Sequence, residues 1–415
     1  MEKRKLDKNY AAAALEVWRA AFAGDEEFDT DFCMRFFSQD NLWQQSNCWL
    51  DGDKLISTYF SLNVELLVRN KHLTARYIDG IATLPEYQGR GLVTNCMTDD
   101  ISECYKMGVD LMLTDPARDS IYRNVGFEYS IDKYNATIPI SYFNSETQES
   151  NYSVKVEILS SETIRKDYNE VNKWLWEHSR YNELKWPKSY EDVKFWRNDI
   201  SIAMAYDADE KPQGYMLYKM TDGNIYVLSI RYASLGVLNV LKQHIISMTD
   251  LKLCHFSSIP PDFPFEILTK YLATPEHAIV PRRYNNRMAR VINFEALLEK
   301  MIVVWPKTPI IIKVDDDIVS QNNAFFTIFP EKKIQRLDLG KTMQADSFAA
   351  LAIKDTASLL CGMTSAEELY YGGRLVVSDY LDASQSRNEM PDIVKQIDNM
   401  LPKAVTFNAD EYLAP

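Results

Sequence analysis

Residues 79–93 constrain the fold more tightly than any other stretch: Asp-Gly-Ile-Ala-Thr-Leu-Pro-Glu-Tyr-Gln-Gly-Arg-Gly-Leu-Val. A short apolar strand, Ile81–Leu84, runs into Pro85. A charged turn carrying Gly89 and Gly91 comes next, and then a helix-like run, Leu92–Lys106. Proline removes a ladder donor, so the strand stops there. Gly89 and Gly91 can take positive φ and let an anion come close to the backbone. A strand that empties through glycines onto a helix start gathers backbone N–H groups and the positive end of the helix dipole at one point, which suits a phosphate. Arg90 adds a fixed positive charge. Two glycines two apart also occur in ordinary turns, so the rest of the chain has to decide between the two readings.

At 415 residues the chain is too long for one ordinary core, and two or three domains are expected. The formal net charge of −13 argues against nucleic acid and anionic membranes as main partners. No apolar run approaches the ~20 residues needed to span a bilayer. The charged start, Met-Glu-Lys-Arg-Lys-Leu-Asp-Lys, lacks a signal-peptide apolar core, so a cytoplasmic location is expected. The six cysteines include no Cys-x-x-Cys pair, and the five histidines have no ligand spacing, so no metal site is expected. Cys96 and Cys104, eight apart in one helix-like run, read as buried small hydrophobes.

Apolar Ala11, Leu15, Trp18 and Phe22 predict a helix over 10–22, and 32–37 predicts a second. Asn47–Leu50 and Lys54–Leu62 read as strands about an Asp-Gly-Asp turn, with Val64–Val68 and Leu73–Leu84 continuing the sheet. Gly108 is placed to cap the helix, Val109–Thr114 to form the next strand, and Arg118–Asn124 a short helix closed by Gly126. A polar linker at 141–153 leads into a second α/β unit. It has helices over 161–178 and 233–248 and strands at 202–207, 214–220 and 225–230. Its loop, Arg231-Tyr232-Ala233-Ser234-Leu235-Gly236, has one glycine and no cradle, so this unit is expected to be structural and to wall the active cleft. Residues 287–298 open a third unit, with strands at 310–314 and 323–329 and helices at 346–360, 365–371 and 391–401.

Leu84-Pro85-Glu86-Tyr87-Gln88-Gly89-Arg90-Gly91-Leu92 resembles the acetyl-coenzyme A loop of the GNAT acetyltransferases, Gln/Arg-x-x-Gly-x-Gly/Ala. Gln88, Gly91 and Val93 occupy the pattern positions. Val93 stands where a small residue is usual, and the Eis (enhanced intracellular survival) branch carries a larger aliphatic residue there. The segment Asp115–Phe127 also resembles the closing segment of the family, where a Tyr and a Gly-Phe pair recur at this spacing. The resemblance implies an α+β chain of tandem GNAT domains, the second degenerate, followed by a sterol-carrier-like domain. The boundaries would be 1–140, 150–285 and 286–415. It further implies a cytoplasmic homo-oligomer, a hexamer by family habit.

The resemblance implies acetyl transfer from acetyl-coenzyme A to a primary amine, with no metal. Ile81, Ala82 and Thr83 would offer backbone groups to the pantetheine arm. Gln88, Gly89, Arg90, Gly91, Leu92 and Val93 would hold the pyrophosphate, and Ala117 would complete the cofactor site. Tyr122 would be the general acid for the departing thiolate. A free tyrosine has a pKa of about 10 and a thiol about 8.5, so the site is expected either to depress Tyr122 or to move the proton within the transition state. In the Eis family the base is the chain's own C-terminal carboxylate, here on Pro415. Ala414 and Pro415 extend beyond the family-like ending Glu411-Tyr412-Leu413, so Pro415, Asp410, Glu411 or a water-mediated base all stay open. Asp25 and Glu26 lie in the region these enzymes use for the acceptor, and Glu411 is a further candidate there. A non-catalytic protein binding acyl-coenzyme A or lipid is the alternative function.

Overall fold

The computed structural model describes residues 1–22, 33–146, 150–179, 183–186, 199–270, 279–339, 347–379 and 390–404. The chain divides into two compact units. The first joins Met1–Asp132 to Asn285–Thr406, and the second is built on Lys133–Tyr284.

The first unit opens with β1 (Glu2–Lys5), α1 (Ala11–Phe22), a helical stretch at 33–38, β2 (Asn47–Asp51), β3 (Lys54–Val68) and β4 (Lys71–Thr83). Next come α2 (Leu92–Met107), β5 (Leu111–Thr114), α3 (Asp119–Arg123) and β6 (Glu128–Pro139). The two strands expected at 54–62 and 64–68 are one strand, buried along most of its length. It turns into β4 through Arg69 and Asn70, both at positive φ, 49° and 59°, the turn whose twist suits an antiparallel pair. The strands run antiparallel from β1 to β4, and β5 lies parallel to β4. Both sheet faces are covered. Trp18 of α1 packs on Phe60, and Cys96, Met97, Ile101 and Cys104 of α2 join a core with Tyr59, Ile78 and Met112. All six cysteines are free and buried.

The second unit comprises β7 (Ser153–Ile158), α4 (Glu162–His178), β8 (Glu183–Lys185), β9 (Ser201–Tyr206), β10 (Pro212–Thr221), β11 (Asn224–Tyr232), α5 (Leu235–Ser247) and β12 (Leu253–Ile259). Its sheet has the order β6-β12-β11-β10-β9-β7. Residues alternate across it. Ile202, Met204, Tyr215 and Leu217 share a core with α4, whereas Ala203, Ala205, Met216 and Tyr218 share one with α5. Strand β12 has no counterpart among the strands expected from sequence. The stretch 141–153, expected to be a polar linker, holds buried Phe143, which bridges to Thr269.

The chain returns to the first unit with β13 (Arg282–Val291), α6 (Phe294–Met301), β14 (Ile310–Asp315), β15 (Ala324–Phe329) and β16 (Lys333–Asp338). It ends with β17 (Ser347–Ala352), α7 (Ile353–Cys361), α8 (Ala366–Tyr371), β18 (Leu375–Asp379) and α9 (Asp392–Met400). Strand β13 pairs antiparallel with β5, Met288 opposite Thr114 and Val291 opposite Leu111. The last five strands form their own sheet, β16-β15-β14-β17-β18. The helix expected over 346–360 is corrected. Residues 347–352 are a strand between β14 and β18, and only 353–361 are helical. Phe-Ala-Ala-Leu-Ala favours helix locally, but ladders on both sides override that preference.

The register of β3 against β4 slips at one position. Thr58 pairs with Ala82 but Phe60 with Asp79, so β4 carries one extra residue, a bulge at Gly80 and Ile81. Gly80 has φ 54°, and a Cβ there would collide with the rings of Phe60 and Trp18. The Trp18 Nε1–H and the Thr58 hydroxyl both donate to the Gly80 carbonyl, at 3.2 and 2.8 Å. Gly80→Ala is expected to lower the unfolding free energy by about 2–5 kcal/mol, from left-handed strain plus overpacking. Urea unfolding measures this, and an unchanged midpoint would count against the bulge.

Candidate active site

The parallel ladder between β4 and β5 is recorded from Ala75/Leu111 to Ile78/Thr114. Beyond it β4 bulges at Gly80 and runs on to Thr83, held on its other side by β3 through Ser57/Thr83 and Thr58/Ala82. Strand β5 ends at Thr114 and turns off through Asp115-Pro116. The two strands therefore fork, and the β5-facing backbone of Ile81–Thr83 borders the opening.

At the tip of β4 a turn leads to α2. Pro85–Tyr87 form a short 3-10 turn. The Gln88 side chain donates to the Thr83 carbonyl at 3.1 Å and ties the turn to the strand. Gly89 and Gly91 have φ 74° and 72°. No atom lies within 4 Å of where a Cβ would stand on either, so their backbone conformation, rather than crowding, calls for glycine. Gly91 caps α2 in the left-handed region without a side-chain hydrogen bond, and the first turn holds no acidic residue. The helix start thus presents uncapped donors in an uncrowded loop, which fits an anion. Arg90 donates to the Glu86 carbonyl at 2.9 Å and lies 4.9 Å over the Tyr87 ring. Tyr87 in turn donates to Asp51 at 2.9 Å. Leu92 is buried and Val93 half-buried against the core, and Trp49 Nε1 donates to the Leu92 carbonyl at 3.0 Å.

The equivalent helix start in the second unit is built differently. Ser234 caps α5, its hydroxyl accepting from the Val237 N–H at 3.3 Å. A Cβ on Gly236 would meet the Tyr152 ring at 3.0 Å. A serine has taken the donor, and a tyrosine fills the space that an anion would need.

Tyr122 is 7 % exposed and packs edge-on to Phe127, centroids 5.9 Å apart. Burial is the main cause that pushes its pKa up to about 12; a hydrogen bond with Thr114 opposes this, and the carboxylates of Asp79 and Asp115 add to it. Those three neighbours locate the hydroxyl where β4 and β5 part. Of the two expectations for Tyr122, a depressed pKa is corrected, because desolvation and two nearby carboxylates disfavour the tyrosinate, and proton movement within the transition state stays open. Asp115 is itself gripped in two-point fashion by Arg287 of β13, at 2.7 and 2.9 Å.

The structure thus brings together Ile81, Ala82, Thr83, Gln88, Gly89, Arg90, Gly91, Leu92, Val93 and Tyr122 around one fork and its adjoining turn. Ala117 lies exposed in the segment that leaves β5. Asp25, Glu26, Asp410, Glu411 and Pro415 lie outside the described residues. Sequence reasoning missed Asp79, Thr114 and Arg287. The first two could have been found as the last residues before the bulge and the Asp-Pro break. Among the described residues no cluster of three or more His, Cys, Asp or Glu could hold a metal, and no helix is long and apolar enough to cross a membrane.

Residues 2–130 match the family described as the acetyltransferase (GNAT) domain. They form a GNAT acetyltransferase domain. A GNAT domain implies an acyl-coenzyme A cosubstrate, and the uncapped start of α2 suits its pyrophosphate. Across the whole chain the fold is shared with an Enterococcus faecalis V583 protein described as a probable N-acyltransferase, at 18% identity over 99% of each chain and a TM-score of 0.80. It is shared also with Eis1 from Mycobacterium abscessus, at 14% identity over 99% of this chain and 100% of that one, TM-score 0.75. A GCN5-related N-acetyltransferase from Anabaena variabilis aligns at 15% identity over 99% and 100%, TM-score 0.76. At such identities the likeness is one of fold, and the architecture around the GNAT domain is Eis-like. No curated protein matches the sequence.

In the GNAT domain, Gly91→Ala is expected to raise the Kd for coenzyme A about tenfold, a loss of about 1.4 kcal/mol, while costing the apo fold only about 1–2 kcal/mol of backbone strain. Calorimetric titration beside thermal melting separates the two, and unchanged affinity would remove this turn from the binding site.

Proposed function

We propose that the chain is an N-acetyltransferase that moves an acetyl group from acetyl-coenzyme A to a primary amine, an aminoglycoside, polyamine or lysine-like side chain, by direct attack. The observation that carries the reading is the Tyr122 hydroxyl set at the fork of β4 and β5, beside a glycine turn that opens onto an uncapped helix start. In this reading the first unit supplies the chemistry and 133–284 is a second GNAT fold that has lost its site. The five-stranded sheet after β13 is a sterol-carrier-like addition.

Acetyl-coenzyme A supplies the thioester. Backbone groups of Ile81–Thr83 hold its pantetheine arm along the fork, while N–H groups from Gln88 to Val93 and the α2 dipole hold the pyrophosphate. Ala117 borders the same site, and Asp25, Glu26 and Glu411 attract the cationic acceptor. Gln88 works through its side chain by fixing the turn to Thr83.

Two proton transfers remain. An alkylammonium with a pKa of about 10.4 costs roughly 5 kcal/mol to deprotonate at pH 7, and a carboxylate base, on Pro415 or on Asp410 or Glu411, assists it. Tyr122 at about 12 is a weaker acid than a thiol at about 8.5. Full transfer to a free thiolate would be uphill by roughly 5 kcal/mol, so Tyr122 donates while the C–S bond is breaking, as negative charge builds on sulfur.

Thiol release measured over a panel of polyamines and aminoglycosides tests the activity. No turnover with any amine, together with tight lipid binding, would overturn it. Tyr122→Phe is expected to lower kcat by about 10²- to 10⁴-fold with little change in the KM for acetyl-coenzyme A. The sign of the Tyr122 shift fixes the pH profile. Its acid form persists to about pH 12, so kcat/KM rises as the amine loses its proton and Tyr122 adds no falling limb below about pH 11. A falling limb near pH 9 that disappears in Tyr122→Phe would contradict this. Deleting Ala414 and Pro415 preserves activity if Leu413 is the functional end, whereas complete loss assigns the base to Pro415.

A further inference from the structure

We propose that Arg287 and Arg290 of β13 are positioning residues for Tyr122, so that 285–406 is an integral part of the catalytic machinery. The proposal rests on the reading of Tyr122 as the general acid. Tyr122 stands on α3, five residues long, too short to hold its own position. Its hydroxyl works only if the segment from Asp115 to Glu128 is fixed from outside.

Strand β13 grips that segment near both ends. At the front, Arg287 Nε and Nη2 reach the two Asp115 carboxylate oxygens at 2.7 and 2.9 Å, and the guanidinium lies 5.3 Å over the Tyr77 ring of β4. At the back, Arg290 Nε donates to the Val125 carbonyl at 2.7 Å, and its Nη2 donates to Asp316 at 2.7 Å. Both arginine side chains are fully buried. Asp316 is fixed in turn by the N–H groups of Ile318 and Val319 and by the Asn322 side chain. Gly126 is cut to this contact: at φ 86°, a Cβ would lie 2.9 Å from Ile353 of α7 and 3.1 Å from Arg290 Nε.

The two arginines point to opposite ends of one segment because they are three residues apart on a strand. Planar, two-point contacts suit guanidinium and not ammonium, so lysine keeps the charge but loses the geometry. The contacts given above run to Asp115, Tyr77, Val125 and Asp316, on the Tyr122 side of the fork, so misplacing Tyr122 is expected to act on the chemical step more than on cosubstrate binding.

The test is a double-mutant cycle in the full-length protein. Acetyl-coenzyme A and spermidine, or another amine turned over in the panel, serve as substrates. Arg287→Gln is expected to lower kcat about 10- to 100-fold, the penalty of a displacement near 1 Å, with the KM for acetyl-coenzyme A unchanged. Arg287→Lys is expected to restore the melting temperature but only part of kcat, which keeps the test valid if the glutamine variant fails to fold. In a Tyr122→Phe background either change is expected to cost under threefold more. Unchanged kcat in both Arg287 variants, or losses that multiply fully with Tyr122→Phe, would overturn the positioning role while leaving the acid role in place. An unchanged kcat in Tyr122→Phe alone would instead remove the acid role itself.

Discussion

The parting of β4 from β5 is the constraint on which the rest depends. Two parallel strands in a sheet ordinarily satisfy each other along their whole length. Here the extra residue at Gly80 turns β4 away, and Trp18 and Thr58 take its carbonyl. The bulge is stable only because Gly80 has no side chain and two aromatic rings fill the place of one. What the ladder loses there becomes available to something else, and the glycine turn, the α2 start and Tyr122 are all arranged about that opening. Stability given up at that register is the source of the opening.

The two units show how little separates a cradle from a structural joint. Both place a helix directly after a strand and turn. In the first, glycine caps the helix and offers no side chain to its N–H groups. In the second, Ser234 does so, with Tyr152 packed against Gly236. A single hydroxyl satisfies the donor that a phosphate would otherwise find, so the same local order of elements has opposite chemical meaning.

Local features are legible in the sequence because their causes are local. Gly89 and Gly91 announce positive φ, Pro85 ends a strand, and Gly108 and Gly362 sit where left-handed helix caps are needed. The GNAT segments at 84–93 and 115–127 fall where the structure puts the turn and α3. The features that stay hidden depend on distant partners. Arg287 looks like the start of a separate unit, yet its carboxylate partner lies 172 positions away. Residues 347–352 look helical until β14 and β18 are known to flank them. The direction of the Tyr122 shift is invisible in the sequence because burial and the neighbouring Asp79 and Asp115 are tertiary facts.

The insertion of β13 beside β5 also sets an order of events during synthesis. Leu111–Thr114 leave the ribosome long before Met288–Val291, which cover their edge. At about 5–20 residues per second, the delay is roughly 10–35 s. For that interval the nascent first sheet carries an open strand edge, the kind that recruits foreign strands. The fork between β4 and β5 is therefore walled only after the second unit has been made, and a chain truncated before β13 would leave that edge of β5 uncovered.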